Sequence, residues 1–321
     1  MHRLPARRLV LTAAAAVTLA ALVTAVLLVL VRPGAVADPA TARCDNPTVR
    51  SVASAHATDH DEVSIRFTCA GATLAATLTL PPGPGPHPAA VWVHGDGKAS
   101  RLTYRGAPLV RALVAAGVAV LSYDKRGAGQ SEGTCCPGDS GHFNLLAADA
   151  AGALHVLANR PDIDPTRLGF VGASQAGWVV PLAIARAGIP VRFSALADAP
   201  VVSHGQERLY SHLTGEEGGK PSTLPMHAIL DRVRDEGPSG FQPLPLLPAM
   251  TGSSLWLYGG QDRSQPTPLD VAILSQLRAH GMHATVREFP HAGHGLLDVP
   301  ATDPAALPTL VAWVRATVHT K

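Results

Sequence analysis

The sequence predicts an α/β fold with a mostly parallel β-sheet and helices on both of its faces. Short apolar runs of about four to eight residues, typical of strands buried on both faces, recur along the chain. Segments with helical spacing separate these runs, and a strand–helix–strand crossover makes the two strands parallel. The 321 residues are enough for one large domain with a sizeable core.

The elements follow one another in a regular order. The first is an antiparallel hairpin, in which "EVSIRFTC" alternates apolar and polar residues and "ATLAATLTLP" is its partner. The six strands that follow are predicted at 89–95, 117–124, 167–172, 191–198, 254–260 and 284–290. The helices are predicted at 106–116, 142–160, 176–188, 268–280 and 304–317.

Two segments depart from this alternation. Residues 199–250, between the fourth and fifth buried strands, are rich in Pro, Gly and charges. We expect a short cap over the carboxyl edge of the sheet, where ligands bind in such folds; an ordinary surface excursion is the alternative. Residues 38–61 are polar and are predicted to be a linker before a domain at 62–321. Their "HATDHD" cluster is interpreted as a solvated loop rather than a metal site.

The N-terminus indicates export. Three arginines precede 23 uncharged residues at 9–31, which as a helix would span about 34 Å, enough for a bilayer. The basic flank predicts that the N-terminus stays inside and the domain is outside. The Ala-x-Ala pattern at 35–37 also fits signal cleavage. Residues 1–37 are therefore either a cleaved signal sequence, which would give a secreted protein, or a retained membrane anchor, which would give a membrane-bound one.

Four cysteines in an exported chain are expected to be oxidised. Three connectivities exist. We favour Cys44–Cys69, which ties the N-terminal segment to the first hairpin, and leave the adjacent Cys135 and Cys136 as a vicinal disulfide or reduced thiols. The chain has no C-x-x-C pattern, so a zinc site is not expected.

The overall charge excludes one class of partner. The formal net charge is +2, and no basic run appears beyond the N-terminus. Nucleic acid is therefore not an expected partner. A membrane is a partner only through an uncleaved N-terminal segment.

The stretch "LGFVGASQAGW" places a serine where a buried strand meets a helix. A nucleophile on such a tight turn has strained backbone angles and needs small residues two positions away on either side. Gly172 and Ala176 occupy those positions around Ser174. The turn also brings N–H groups of the helix start beside the hydroxyl. Ser174 is the predicted nucleophile.

A serine nucleophile needs a base and an acid that orients it, in the chain order Ser, Asp, His for this geometry. Asp262 follows the fifth buried strand and His294 follows the sixth, so both are expected at the sheet edge that carries Ser174. His291 competes for the role of base. Asp270 and Asp298 compete for the role of acid.

The strand at 89–95 ends in "HGDG", a loop expected to supply an oxyanion hole. The backbone N–H groups of Asp96 and Gln175 are predicted to point at the developing oxyanion. An aspartate side chain is unusual there, and it must point away from the negative charge.

With these pieces together, the chain resembles the α/β-hydrolase superfamily, in the branch of serine esterases and dienelactone-hydrolase-like or prolyl-oligopeptidase-like hydrolases. The resemblance covers about residues 62–318 and rests on "VHGDG", "YDKRGAGQSEG", "RPDIDPTRLGFVGASQAGWVVPLA", "LYGGQDRSQP" and "HAGHG". It implies the α/β-hydrolase fold and an acyl-enzyme route, with Ser174 as nucleophile, His294 as base and then acid, and Asp262 as its partner.

We therefore expect an exported serine hydrolase of carboxylic esters with small to medium acyl groups, acting on a small-molecule substrate. A serine peptidase of short peptides and a non-catalytic binding protein of the same fold are the alternatives. No cofactor or metal is implied, because triad chemistry needs none. The charged turn Asp124–Arg126 is interpreted as structural, a support for loops near the site.

Overall fold

The structure, a computed structural model, describes residues 42–101, 106–134, 140–216 and 218–320, without the side chains of 140–141. The predicted signal or anchor over 1–37 lies outside these ranges, and so do Cys135 and Cys136. Within the described ranges, no helix is long and apolar enough to cross a membrane.

In the part of the chain that the structure describes, nine strands form one mixed sheet in the order β1-β2-β3-β5-β4-β6-β7-β8-β9. The strands are β1 Thr48–His56, β2 Asp61–Cys69, β3 Ala72–Leu80, β4 His87–Val93, β5 Ala119–Tyr123, β6 Ile163–Ala173, β7 Phe193–Ala197, β8 Ser253–Gly259 and β9 Ala284–Phe289. The pairs from β1 through β3 to β5 are antiparallel. All other pairs are parallel, as the alternation of strands and helices predicted.

The seven α-helices of the described ranges lie between or after these strands. They are α1 Ala107–Ala115, α2 Ser140–Ala158, α3 Ala176–Ala187, α4 His204–Thr214, α5 Met226–Glu236, α6 Thr267–Ala279 and α7 Ala306–His319, with a 3₁₀ helix at Leu244–Ala249. Each helix predicted from the sequence is present within a few residues of its predicted bounds. Helix α3 ends at Gly188 with φ 65°, a left-handed cap that glycine adopts without strain.

Two apolar clusters cover the two faces of the sheet. One packs buried side chains of α2 and α3, such as Leu154 and Val180, against Phe170 and Trp256 of the strands. The other packs α1 and α7 against the opposite face. With both faces covered, the central strands are buried throughout, which is why their sequences read as continuous apolar runs.

The segment predicted as a linker contains a strand. Residues 48–56 form β1, which pairs with β2 along nearly its whole length at the edge of the sheet. Every residue of β1 is exposed, so neither face selects apolar side chains. The two-residue periodicity that identifies a half-buried strand is therefore missing from this part of the sequence.

The expected disulfide between Cys44 and Cys69 is present, with 5.4 Å between the Cα atoms. It fastens the segment before β1 to the end of β2. Helix α2 packs directly on the bridge at Gly152, where an added Cβ would lie 2.5 Å from the Sγ atom of Cys44. The bridge is thus part of the core as well as a crosslink.

Replacing both bridged cysteines by alanine (C44A/C69A) is expected to lower the free energy of unfolding by about 3 kcal/mol, because the bridge closes a loop with a sequence separation of 25. Denaturant unfolding of the variant and the wild type, followed by circular dichroism, measures the difference. Equal unfolding midpoints would contradict a stabilising role for the bridge.

Candidate active site

Ser174 lies in a sharp turn between β6 and α3. Its φ of 53° is in the left-handed region, which a non-glycine residue occupies only where the surroundings enforce it. The Ser174 N–H donates to the carbonyl of Ala197 on β7, and the Gly177 N–H donates to the Ser174 carbonyl, both at 2.9 Å. This is the strained strand–turn–helix geometry expected of an exposed nucleophile.

The small residues around Ser174 are needed for close packing. A Cβ on Gly172 would lie 2.5 Å from the Cβ of Ala176 and 3.1 Å from the carbonyl oxygen of Val93. A Cβ on Gly95, in the loop after β4, would lie 3.3 Å from the Cβ of Ser174. The turn and the loop after β4 therefore pack against each other with no room for larger side chains.

His294 and Asp262 form a hydrogen-bonded pair in the loops after β9 and β8. His294 Nδ1 lies 2.8 Å from Asp262 Oδ2. Asp262 Oδ1 accepts the backbone N–H groups of Ser264 at 2.7 Å and Gln265 at 3.0 Å. The carboxylate is fully buried and held from two directions, so the orientation of the imidazole ring is fixed.

The electrostatic surroundings of His294 favour its protonated form. Burial by itself lowers the pKa, but the hydrogen bond and charge of Asp262, with the charges of Asp198 and Asp298, raise the pKa of His294 to about 9. An imidazole in this setting readily holds a proton taken from a neighbouring hydroxyl.

The structure brings Ser174 and His294 to the same cavity. The cavity holds about 480 Å³, and its walls include Trp92, Leu297 and Lys98. Within the described residues, no hydrogen bond yet joins the Ser174 and His294 side chains; such bonds often tighten only when substrate binds.

Asp198, which the sequence reasoning missed, is the second carboxylate beside His294. It directly follows β7 and has a φ of 48°, and its Oδ2 accepts the N–H groups of Gly295 at 2.9 Å and Leu296 at 2.7 Å. Its Oδ1 is buried without a hydrogen-bond partner in the described part of the chain. Burial raises the pKa of Asp198 to about 6, although the nearby His294 lowers it. The available signal was its position at the end of a buried strand, on the edge that carries Ser174.

The three residues that compete for the roles of base and acid have other surroundings. Asp270 is buried on α6 and its Oδ1 accepts the N–H groups of Val201 at 2.8 Å and Val202 at 3.0 Å. His291 is exposed, two residues before the loop glycine that precedes His294. Asp298 lines the cavity and acts on His294 through its charge. Asp262 is the carboxylate that is hydrogen-bonded to His294 Nδ1.

Asp198, Asp262 and His294 each offer a ligand atom, and these atoms lie within 4.8 Å of one another. A cation could be held at such a spacing. However, the Asp262 oxygens and Asp198 Oδ2 already accept hydrogen bonds from the ring and from backbone amides. The cluster therefore has an explanation that requires no metal.

The loop after β4 and the start of α3 present two backbone N–H groups beside Ser174. Those of Asp96 and Gln175 donate to no acceptor among the described residues. The Asp96 side chain is tied back, because its Oδ1 accepts the Gln175 side-chain amide at 2.7 Å. The loop is further supported by His94, which contacts the Tyr123 carbonyl at 2.7 Å and whose pKa burial lowers to about 4.

Each charged residue of the turn after β5 has its own partners. Asp124 accepts the Arg101 guanidinium at 2.5 Å. Arg126 forms a buried bidentate pair with Asp149, at 2.7 and 2.6 Å. Lys125 instead points toward the loop after β4. Of the three, Lys125 is the residue whose contacts reach the loop after β4 and Gln175, in keeping with the supporting role expected of the turn.

The described residues of 199–250, where the sequence predicts a cap or a surface excursion, contain α4, α5 and the 3₁₀ helix. Helices α4 and α5 share a small apolar cluster that includes Tyr210 and Val233. The Tyr210 hydroxyl donates to the carbonyl oxygen of Asp262 at 2.9 Å, so the segment is fastened to the loop that carries the acid.

Comparison with known proteins finds likeness in structure and not in sequence. No protein-family model matches the chain, and no curated protein matches it. Acetyl xylan esterase 1 from Thermoanaerobacterium sp. JW/SL YS485 superposes with a TM-score of 0.62 at 19% identity, over 86% of this chain and 89% of that one. An acetyl xylan esterase from Paenibacillus sp. R4 gives 0.61 at 17%, over 84% and 88%. An esterase from Pyrococcus furiosus gives 0.60 at 15%, over 86% and 97%. The fold predicted from the sequence is confirmed.

Proposed function

We propose that this protein, which has the α/β-hydrolase fold, is a serine hydrolase that cleaves carboxylic esters of small to medium acyl groups through an acyl-enzyme. The observation that carries the proposal is Ser174 in a strained left-handed turn, lining one cavity with His294, which is hydrogen-bonded to Asp262. Strain of this kind is typical of functional residues.

The proposed reaction has two halves. Ser174 Oγ attacks the ester carbonyl while His294 Nε2 takes its proton, and Asp262 stabilises the imidazolium. The N–H groups of Asp96 and Gln175 donate to the oxyanion of the tetrahedral intermediate. The alcohol then leaves with the proton from His294, and water, deprotonated by the same ring, releases the acid and restores Ser174.

The size of the cavity and the likeness to known structures support a small acyl group. A volume of about 480 Å³, bounded by the rings and alkyl groups of Trp92 and Leu297, is at the smaller end of ligand cavities. Two of the structurally similar proteins are acetyl xylan esterases. Acetyl and similarly short esters are therefore the substrates to try first.

The experiment compares substrates with the purified full-length protein. Hydrolysis of p-nitrophenyl esters from acetate to decanoate is expected to be fastest for the short acyl chains, and a fluorophosphonate probe is expected to label Ser174. Cleavage of short peptide amides without ester cleavage would identify a peptidase. A cooperatively folded protein with no labelling and no turnover would favour the binding protein.

Replacing Asp198 by asparagine (D198N) is expected to shift the acidic limb of the kcat/KM profile toward lower pH by about one unit. The base works only when neutral, so activity rises with pH through the pKa of His294, about 9. Removing the Asp198 charge lowers that pKa, and asparagine still accepts the two backbone amides. The difference disappears below the Asp198 pKa of about 6, where the wild-type carboxyl is also neutral.

The control for D198N is Asp231→Asn, an exposed residue of α5 paired with Arg234 at 2.7 Å. Its pH profile is expected to superpose on the wild-type profile. A D198N profile that also superposes would mean that Asp198 has no electrostatic effect on the base.

We further propose that the protein works outside the cytoplasm, held by its N-terminal segment or released by cleavage near Ala37. The Cys44–Cys69 disulfide supports this, because such bonds persist in oxidising compartments. Fractionation of cells that express the full chain with a C-terminal tag tests the proposal. We expect the protein in the membrane or the medium, and recovery in the cytoplasm would contradict it.

A further inference from the structure

Lys125 is a buried cation that reaches the two segments beside Ser174. The residue is 3% exposed. Its ammonium donates to the carbonyl oxygens of Gly95 at 2.6 Å and Gly97 at 3.1 Å, and to the side-chain oxygen of Gln175 at 2.8 Å. Two of these acceptors flank Asp96, and the third belongs to the residue after the serine.

A second hydrogen bond extends the contact to the Asp96 carboxylate. The Gln175 amide accepts from Lys125 through Oε1 and donates to Asp96 Oδ1 through Nε2, at 2.7 Å. The cation, the amide and the carboxylate form one chain of hydrogen bonds. This chain explains how an aspartate is tolerated next to a developing negative charge: its carboxylate is tied to Gln175 and balanced by the ammonium.

The charged residues on either side of Lys125 are paired with other residues. The carboxylate of Asp124 is bound by Arg101, and Asp149 is bound by Arg126. Burial lowers the pKa of Lys125 to about 8, while the charge of Asp96 raises it. The side-chain amine is therefore mostly protonated at neutral pH. Removing a charge from water costs free energy, and hydrogen bonds to two carbonyl groups and one side-chain amide offset that cost here.

A lysine suits this position because of its donor geometry. An ammonium has three donors on one atom, which matches three acceptors that converge from two segments. A neutral apolar side chain of similar length would supply none of these three hydrogen bonds. The two segments would then be free to separate by the fraction of an ångström that matters to an oxyanion hole.

We propose that Lys125 is a positioning residue of the oxyanion hole, which holds the N–H groups of Asp96 and Gln175 in the geometry that the tetrahedral intermediate requires. The inference rests on the proposed function and adds to it a residue that contacts neither substrate nor the His294–Asp262 pair. Its effect is exerted on the transition state, because the donors it positions matter most when the oxyanion forms.

The test is Lys125→Met in the full-length protein, with p-nitrophenyl acetate as substrate. We expect kcat to fall by about 10²-fold, the effect of losing an oxyanion donor, with KM within about twofold of wild type. Inhibition by an alkyl trifluoromethyl ketone, which binds serine as a tetrahedral oxyanion adduct, is expected to weaken by the same factor. Arg315→Met, an exposed cation on α7, is the matched control and should keep wild-type kinetics.

The outcomes separate the inference from the function on which it rests. An active wild type with unchanged kcat and ketone inhibition in the variant overturns the inference alone. A loss of kcat with no weaker ketone inhibition also overturns it, since general damage to the fold would give that result. A wild type that neither hydrolyses esters nor reacts with the fluorophosphonate overturns the proposed function, and the inference with it.

A second variant keeps the test valid if Lys125→Met does not fold. Gln175→Leu cuts the chain between the ammonium and Asp96 while Lys125 keeps both carbonyl contacts. We expect kcat to fall by about tenfold with KM unchanged, a smaller effect because one segment stays anchored. Wild-type kcat in this variant would contradict the proposal.

Discussion

Replacing Ser174 by alanine is expected to lower kcat/KM for p-nitrophenyl acetate by at least about 10³-fold. The variant lacks the attacking oxygen, so neither an acyl-enzyme nor a burst of p-nitrophenol can form. The residual rate would come from binding and from the oxyanion donors, which do not depend on the hydroxyl. Steady-state kinetics and fluorophosphonate labelling of the variant and the wild type measure the effect.

The matched control for Ser174→Ala is Ser275→Ala, an exposed serine on α6. It should keep wild-type kinetics and labelling. The thermal unfolding midpoint of the Ser174 variant is expected to match or exceed that of the wild type. The Ser174 hydroxyl makes no hydrogen bond within the described residues that alanine would remove. Activity retained in Ser174→Ala would place the nucleophile elsewhere.

The second large effect is expected for Asp262→Asn, a loss of about 10³–10⁴-fold in the kcat reached above the pKa of His294. The carboxylate accepts from His294 Nδ1 at 2.8 Å, so the neutral ring keeps its other nitrogen free to act as the base. An amide in the same place can keep its oxygen on the backbone N–H groups of Ser264 and Gln265. Its NH₂ group then faces Nδ1, and the ring adopts the tautomer that has a proton toward Ser174.

Asp270→Asn is the control for Asp262→Asn. It is also a buried aspartate that accepts two backbone N–H groups, and the side-chain oxygen of asparagine can accept the same two. We expect its activity to stay within a few-fold of wild type. If D198N abolished activity and Asp262→Asn did not, the roles assigned to the two carboxylates beside His294 would be reversed.

The order of elements and the candidate nucleophile could be predicted from the sequence because both depend on local patterns. Buried parallel strands are continuous apolar runs, and a strand that stops at Ser174 between Gly172 and Ala176 indicates a tight turn wherever it lies. Asp262 and His294 could be named because each follows a strand, and parallel strands bring their carboxyl ends to one edge. Strand β1 was missed because its fully exposed residues carry no such pattern.

Only the tertiary structure decided how these groups interact. Asp198 contacts the amides of Gly295 and Leu296, nearly a hundred residues away along the chain. Lys125 contacts Gln175, which is 50 residues away along the chain. Such contacts leave no periodicity, because they depend on the packing of loops that the strands bring together. By itself the sequence determined the fold and the three residues at the sheet edge. Packing determined which carboxylate is hydrogen-bonded to His294, and it joined Lys125 of the charged turn to the loop after β4 and to Gln175.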